Sequence, residues 1–207
     1  MTDPRSHRRE EVAICILAGG LSHRMGRDKA TIRVAGSTLL QRVRKTAEEL
    51  DLPIRVIRRD LVPRCGPLGG IYTGLITSRA SAELFLACDM PFVESESLRK
   101  LIDRFKKTGR PVFTRAEGVA GFPLLVPASD AATVLHHIEA KELSIQGLAA
   151  ALRGVCINVR SAGADQFRNL NSPNDLKLAR QALDRSKARR SRHATIRENQ
   201  DKTAFQD

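Results

Sequence analysis

Two nearly continuous apolar runs constrain the fold of this chain more than any other feature. They are Val12–Leu17 (VAICIL) and Ala82–Cys88 (AELFLAC). A strand with one wet face alternates polar and apolar residues; a run without that alternation suits a strand buried on both faces. Such strands belong to parallel sheets covered by helices on either side. The first run is bounded by Gly19-Gly20 and the second ends at Asp89.

Helical patterns separate the strand patterns. Leu39, Leu40, Val43, Ala47 and Leu50 follow helical spacing, as do Leu98, Leu101, Ile102 and Phe105. Gly69–Ser78, Ala131–Glu139 and Ser144–Arg153 read as further helices. Ile54–Ile57 and Val155–Val159 read as short strands, and Pro111–Thr114 with Phe122–Val126 as strands around the turn Glu117-Gly118. Ser172, Pro173 and Asp175 make a strong helix start: an N-cap hydroxyl, a proline at the first position and an early negative charge. The expected fold is α/β, with a doubly wound, mostly parallel sheet in three layers. Residues 12–183 are expected to form one domain, after a charged extension at 1–11 and before a basic, disordered tail at 184–207.

Composition narrows the function classes. The chain has 207 residues, no Trp, one Tyr and a net charge of +12. Few aromatics argue against base-stacking platforms. The tail holds seven Lys/Arg against four Asp/Glu, so most of the excess lies on the body, where it suits an anionic substrate. Nucleic acid is the competing reading of such charge, but no recognised nucleic-acid motif accompanies it. The four cysteines lack zinc-site spacing and read as buried thiols in a reducing compartment. No stretch has the length of a membrane span, and the charged start does not resemble a secretory leader. A cytoplasmic protein is expected.

Doubly wound sheets place their sites beyond the carboxyl ends of their strands. Three polar loops qualify. The first, Leu17-Ala18-Gly19-Gly20-Leu21-Ser22-His23-Arg24-Met25-Gly26-Arg27-Asp28-Lys29, is rich in glycine and carries the cations Arg24 and Lys29. Its backbone N–H groups could cradle phosphate, or the glycines could simply make a tight turn. It matches neither a Walker loop nor G-x-G-x-x-G. In the second, Asp89 could hold a hard cation or cap the turn before Pro91. In the third, Asn169 and Asn171 flank Leu170 and would share one face of a strand. His136-His137 falls in a helical pattern and reads as structural or exposed.

The first loop, LAGGLSHRMGRDKA, resembles the signature of the molybdenum cofactor guanylyltransferases, within the MobA-like nucleotidyltransferases. Gly66-Pro67-Leu68-Gly69-Gly70-Ile71 resembles the family's GPL-small-G turn, Asp89-Met90-Pro91 its metal-binding turn, and Asn169-Leu170-Asn171-Ser172-Pro173 its asparagine–proline segment. The resemblance spans Val12 to Leu183. It implies a Rossmann-like nucleotidyltransferase fold and transfer of GMP from GTP to the terminal phosphate of molybdenum-molybdopterin, with release of pyrophosphate. It further implies that the backbone of Leu17, Ala18 and Gly19 meets guanine. By the same carry-over, Lys29 contacts phosphate, Asp60 the nucleotide, Asp89 a Mg²⁺ ion, and Asn169 and Asn171 the acceptor. Arg24 and Lys29, with Asp89, would carry catalysis. The implied partners are GTP and molybdenum-molybdopterin, with molybdoenzymes or their chaperones downstream.

A phosphate acceptor is already ionised at neutral pH and needs no general base. Catalysis then reduces to alignment and charge neutralisation, which suits a chain with no Ser-His-Asp or Cys-His constellation. The chain departs from the family pattern in two places. It lacks a strand–helix unit usual between the first helix and Asp60, and no polar residue precedes the proline in Gly121-Phe122-Pro123-Leu124. Transfer of another nucleotide such as cytidylyl, or transfer to a sugar phosphate, is the alternative within the fold. LAGG, rather than LAAG, points to the guanylyl branch.

Overall fold

The computed structural model describes residues 11–19, 29–159, 166–170, 172 and 174–183. Its core is a six-stranded sheet in which five strands share one direction. The strands are β1 (Val12–Leu17), β4 (Ile54–Ile57), β5 (Ala82–Ala87), β6 (Val112–Ala116), β7 (Val119–Pro127) and β8 (Val155–Asn158). Their order is β4-β1-β5-β7-β6-β8. Only β7 runs antiparallel to its neighbours, β5 and β6. It returns from β6 through the turn Glu117-Gly118, whose two residues have φ of 50° and 82°. Positive φ at both central residues is the hairpin turn that matches strand twist.

Helices cover both faces, as the apolar runs require. On one face α1 (Leu39–Glu48) and α3 (Ser95–Thr108) bury Val43, Ala47, Leu98 and Leu101 against Ile14, Ile16, Leu84 and Leu86. On the other, α2 (Gly66–Ile76), α4 (Ala131–Glu139) and α5 (Ile145–Ala151) bury Leu68, Ile71, Val134 and Leu148 against Cys15, Phe85, Phe113 and Leu124. The three-layer expectation holds.

Several elements differ from the sequence reading. A short hairpin, β2 (Arg33–Val34) with β3 (Ser37–Thr38), precedes α1. Two-residue strands are too short to show a period. Thr38 and Gln41 then start α1 with reciprocal side-chain-to-backbone bonds, a capping box. Helix α2 begins at Gly66, three residues before the expected Gly69, with Pro67 in its first turn. The segment 166–170 is not a strand, and the last helix, α6, occupies 174–183. Ser172 and Asp175 cap that helix as expected: Asp175 N–H donates to Ser172 Oγ at 3.1 Å, and Ser172 N–H to Asp175 Oδ2 at 2.8 Å. A third small core joins Leu170 and Ala179 to Val34 and Leu39, so the C-terminal segment is seated on the β2–β3 hairpin. The extension at 1–10 and the tail at 184–207 lie outside the described residues.

One charged side chain is fully buried in the sheet. Glu83 of β5 accepts from Arg55 at 2.6 Å and from Ser78 at 2.5 Å, while Arg55 also donates to the Gly74 and Thr77 carbonyls at the end of α2. The pair ties an edge strand to a helix C-terminus, where a cation is favourable.

Three of the four cysteines are buried as expected. Cys15, Cys65 and Cys88 are buried, Cys156 is half-buried, and all four are free thiols. Burial pushes the Cys15 thiol up to about 12, with the nearby Glu83 charge adding to it. Thiolate is the reactive form. Iodoacetamide labelling of the native protein at pH 8, followed by mass spectrometry, should therefore modify Cys156 first and Cys15 last. Early loss of Cys15 would show that the central strand opens locally.

Candidate active site

The strand connections open a crevice between β1 and β4. The chain leaves β1 toward α1 on one face and leaves β4 toward α2 on the other, so the loops diverge at the carboxyl ends of two adjacent strands. This is a topological switch point, where open α/β sheets bind ligands. The strand ends are flush: Leu17 lies level with Ile57 on one side and with Ala87 on the other.

Backbone bonds hold the start of the first loop. Ala18 N–H donates to the Ile57 carbonyl at 2.8 Å, and Cys88 N–H to the Leu17 carbonyl at 3.0 Å. The Ala18 N–H and Leu17 carbonyl are therefore already committed to neighbouring strands. Gly19 follows in exposed position. A Cβ built on it would lie 2.7 Å from the Arg58 carbonyl oxygen. Its φ is outside the left-handed region, so the demand for glycine here is close approach to the backbone that leaves β4.

Asp60 lines the other wall of the crevice. Its carboxylate faces α2 where Gly69 and Gly70 leave room: Cβ atoms on these glycines would lie 3.1 Å and 3.4 Å from its two oxygens. A Cβ on Gly69 would also meet the Val62 carbonyl at 2.7 Å, and one on Gly70 the Leu17 side chain at 3.0 Å. The GPL-small-G segment is thus the opening of α2, and its small residues admit Asp60 and Leu17. Thr73 ties the same loop to the helix by accepting from Leu61 N–H at 2.9 Å. Nothing in the sequence pattern marked Thr73 or this role for the glycines.

Burial pushes the Asp60 carboxyl above the usual carboxylate range. A raised folded-state pKa means that the native chain binds this proton more readily than the unfolded chain. The contribution to stability is present at low pH and is lost as pH rises through the raised value. Asp60→Asn should therefore melt slightly higher than the parent at pH 7. The gap should close as pH falls toward 4. Melts across that range check the sign, and a variant less stable at pH 7 would mean that Asp60 is paired and not merely buried.

On the β5 side of β1, Lys29 and Asp89 meet. Lys29 opens a 3-10 turn, Lys29–Thr31, anchored by the buried Ala30. Its Nζ lies 2.9 Å from Asp89 Oδ2, with both side chains about one-fifth exposed at most, 21% and 16%. Asp89 also fixes the third loop, because its carbonyl accepts from Leu170 N–H at 3.0 Å. Leu170 is buried while its neighbour Asn169 is exposed. Ser97 of α3 bonds to Gln166 at 2.7 Å and holds the same segment. The structure thus gathers Leu17, Ala18, Gly19, Lys29, Asp60, Asp89 and Asn169 at one end of the sheet. Arg24 and Asn171 lie outside the described residues. His136 and His137 sit in the last turn of α4, with His137 Nδ1 3.1 Å from Glu142.

Asp89 fits a Mg²⁺ site of the sparse kind. Among the described residues no group of three or more His, Cys, Asp or Glu could cage a metal. Mg²⁺ bound through one carboxylate and the phosphates of a substrate needs no such cage.

Comparison with known proteins agrees with this geometry. Residues 14–159 match the model of the MobA-like NTP transferase domain. The probable molybdenum cofactor guanylyltransferase of Opitutus terrae is 33% identical over 68% of this chain and 79% of its own length. The molybdenum cofactor guanylyltransferase of Pseudomonas syringae pv. syringae is 33% identical over 78% and 89%. Molybdopterin-guanine dinucleotide biosynthesis protein A from Archaeoglobus fulgidus superposes with a TM-score of 0.65 at 22% identity, over 84% of this chain and 99% of that one. A 2-C-methyl-D-erythritol 4-phosphate cytidylyltransferase from Thermus thermophilus gives 0.62 at 15%, over 84% and 99%, so the fold alone does not choose the base. With a matching domain model over most of its length and relatives one-third identical, the chain belongs to the MobA-like NTP transferase family.

Proposed function

We propose that the chain transfers GMP from GTP to the terminal phosphate of molybdenum-molybdopterin and releases pyrophosphate. The observation that carries this reading is the Lys29–Asp89 pair, set beside a crevice whose far wall is the Asp60 carboxylate, unpartnered among the described residues. The names of the relatives supply the substrates.

Each residue has a physical task. Asp60 has no hydrogen-bond or ion-pair partner among the described residues and accepts N–H or O–H groups of the nucleotide. The exposed backbone after Ala18 lies against the base. Lys29 turns from Asp89 to the incoming phosphates, because a triphosphate offers it more charge than one carboxylate. An acceptor phosphate oxygen attacks the α-phosphorus, the bond to the β-phosphate breaks, and its electron pair leaves with pyrophosphate. Asp89 would hold Mg²⁺, which supplies charge neutralisation at the phosphates when bound. Arg24 adds positive charge, and Asn169 and Asn171 position the acceptor. No helix among the described residues is long and apolar enough to cross a membrane. With these substrates the protein works in the cytoplasm, and molybdoenzymes or their chaperones receive its product.

The test is a transfer assay with Mg²⁺, molybdenum-loaded molybdopterin and each of GTP, CTP and ATP. Pyrophosphate release should be fastest with GTP and should stop without acceptor or metal. Preference for CTP would move the chain to cytidylyl transfer. Release with a sugar phosphate in place of the pterin would identify a different acceptor.

A further inference from the structure

The far edge of the sheet carries a second cationic pocket that the transfer site does not use. It lies between α5 and the β6–β8 edge, holds about 210 Å³, and is lined by Arg110, Arg115, Gln146, Arg153 and Cys156 among others. Three strand positions separate β8 from β5, about 14 Å of sheet.

Among the described residues, every charged group on this pocket has the same sign. The lining contains three guanidinium groups and no carboxylate. None of the three arginines forms an ion pair among the described residues. The Nε of Arg115 is buried and meets no acceptor among the described residues. A buried donor left unmade is costly, and native proteins nearly always satisfy it. Arg110 is fixed in place by donating to the Arg153 carbonyl. Gln146 Oε1 accepts from Ala120 N–H at 2.6 Å. Arg153 follows the C-cap of α5 with φ of 48°. Glycine is the favoured residue at that position, yet the chain keeps an arginine there.

We propose that this pocket binds a small, multiply charged phosphate anion, orthophosphate or pyrophosphate. An oxyanion accepts from the terminal N–H groups of these guanidiniums, and a turn of the Arg115 side chain would bring its Nε to the same ligand. It also offsets the mutual repulsion of three cations held around one small space. The inference does not depend on which nucleotide the transfer site uses.

Calorimetric titration of the full chain with orthophosphate and with pyrophosphate tests it. Excess chelator removes Mg²⁺-assisted binding at the transfer site, and ionic strength is held constant. At least one anion should bind saturably, one per chain, and should still do so in Asp89→Asn. Arg115→Gln and Arg153→Gln should each weaken that binding tenfold or more. Arg153 is exposed, so its substitution leaves the core intact even if the Arg115 variant folds poorly. Tighter binding of pyrophosphate would identify the released product as the ligand, and tighter binding of orthophosphate the free ion. Absence of saturable binding by either, or affinities unchanged in both arginine variants, would overturn the proposal.

Discussion

Asp89→Asn is expected to keep the fold and to lose about a hundredfold or more in kcat/KM for nucleotidyl transfer. The substitution keeps shape and removes one negative charge. The backbone carbonyl that anchors Leu170 is untouched, so the third loop stays in place. The lost ion pair with Lys29 is partly solvated, and such pairs contribute about 1 kcal/mol or less. Melting temperature should thus move by only a few degrees. Activity responds differently, because the carboxylate is the anionic ligand proposed for the metal. A hundredfold loss corresponds to about 2.7 kcal/mol of transition-state stabilisation, typical of removing one well-placed electrostatic group. Raising Mg²⁺ should recover part of the rate, since the phosphates of the substrate still bind the ion. Full activity at limiting Mg²⁺ would falsify the assignment of Asp89.

The elements that bury apolar surface were the legible ones. β1, β4 and α4 have the bounds that their patterns suggest, since a doubly buried run or a helical stripe ends where its core contact ends. Direction was less legible. The turn at Glu117-Gly118 marks a hairpin, but nothing local says that β7 inserts between β5 and β6 and so runs against the other strands of the six-stranded sheet. The shortened segment before Asp60 also has a simple outcome. β4 forms the edge of the sheet, and the chain passes directly from it to the crevice.

The site was legible in its loops but not in its contacts. Sequence order places Lys29 and Asp89 far apart, and only the parallel pairing of β1 with β5 brings their loops together. Asp60 came from resemblance alone. Its physical setting, a carboxylate held between Leu17 and the opening of α2, depends on glycines that the sequence displays without saying what they approach. Glu83 shows the same gap. A glutamate inside an apolar run looks like a fault in the pattern until Arg55 and Ser78 are seen around it.

Gly19→Ala is expected to lower kcat/KM for GTP tenfold or more, and to lower it for CTP by a similar factor. Read from the sequence, the missing Cβ leaves space for a purine, so that alanine should penalise GTP more than CTP. The structure changes that expectation. The added methyl would point at the backbone that leaves β4, 2.7 Å from the Arg58 oxygen and 3.0 Å from its carbonyl carbon. Real Cβ contacts do not occur so close, and neither partner is a flexible side-chain end. The bond from Ala18 N–H to the Ile57 carbonyl couples the two segments just before the clash, so relief must come from the loop beyond Ala18. That loop carries the backbone proposed to hold the base and leads to Lys29. Displacing it disturbs alignment for any nucleotide, and a cost of only ~1.4 kcal/mol in the transition state is tenfold in rate. Steady-state kinetics with both nucleotides and the same acceptor provide the test. A fall for GTP with a rise for CTP would put the methyl in the base pocket after all. Unchanged kinetics for both would mean that the loop yields without moving the groups that bind the nucleotide.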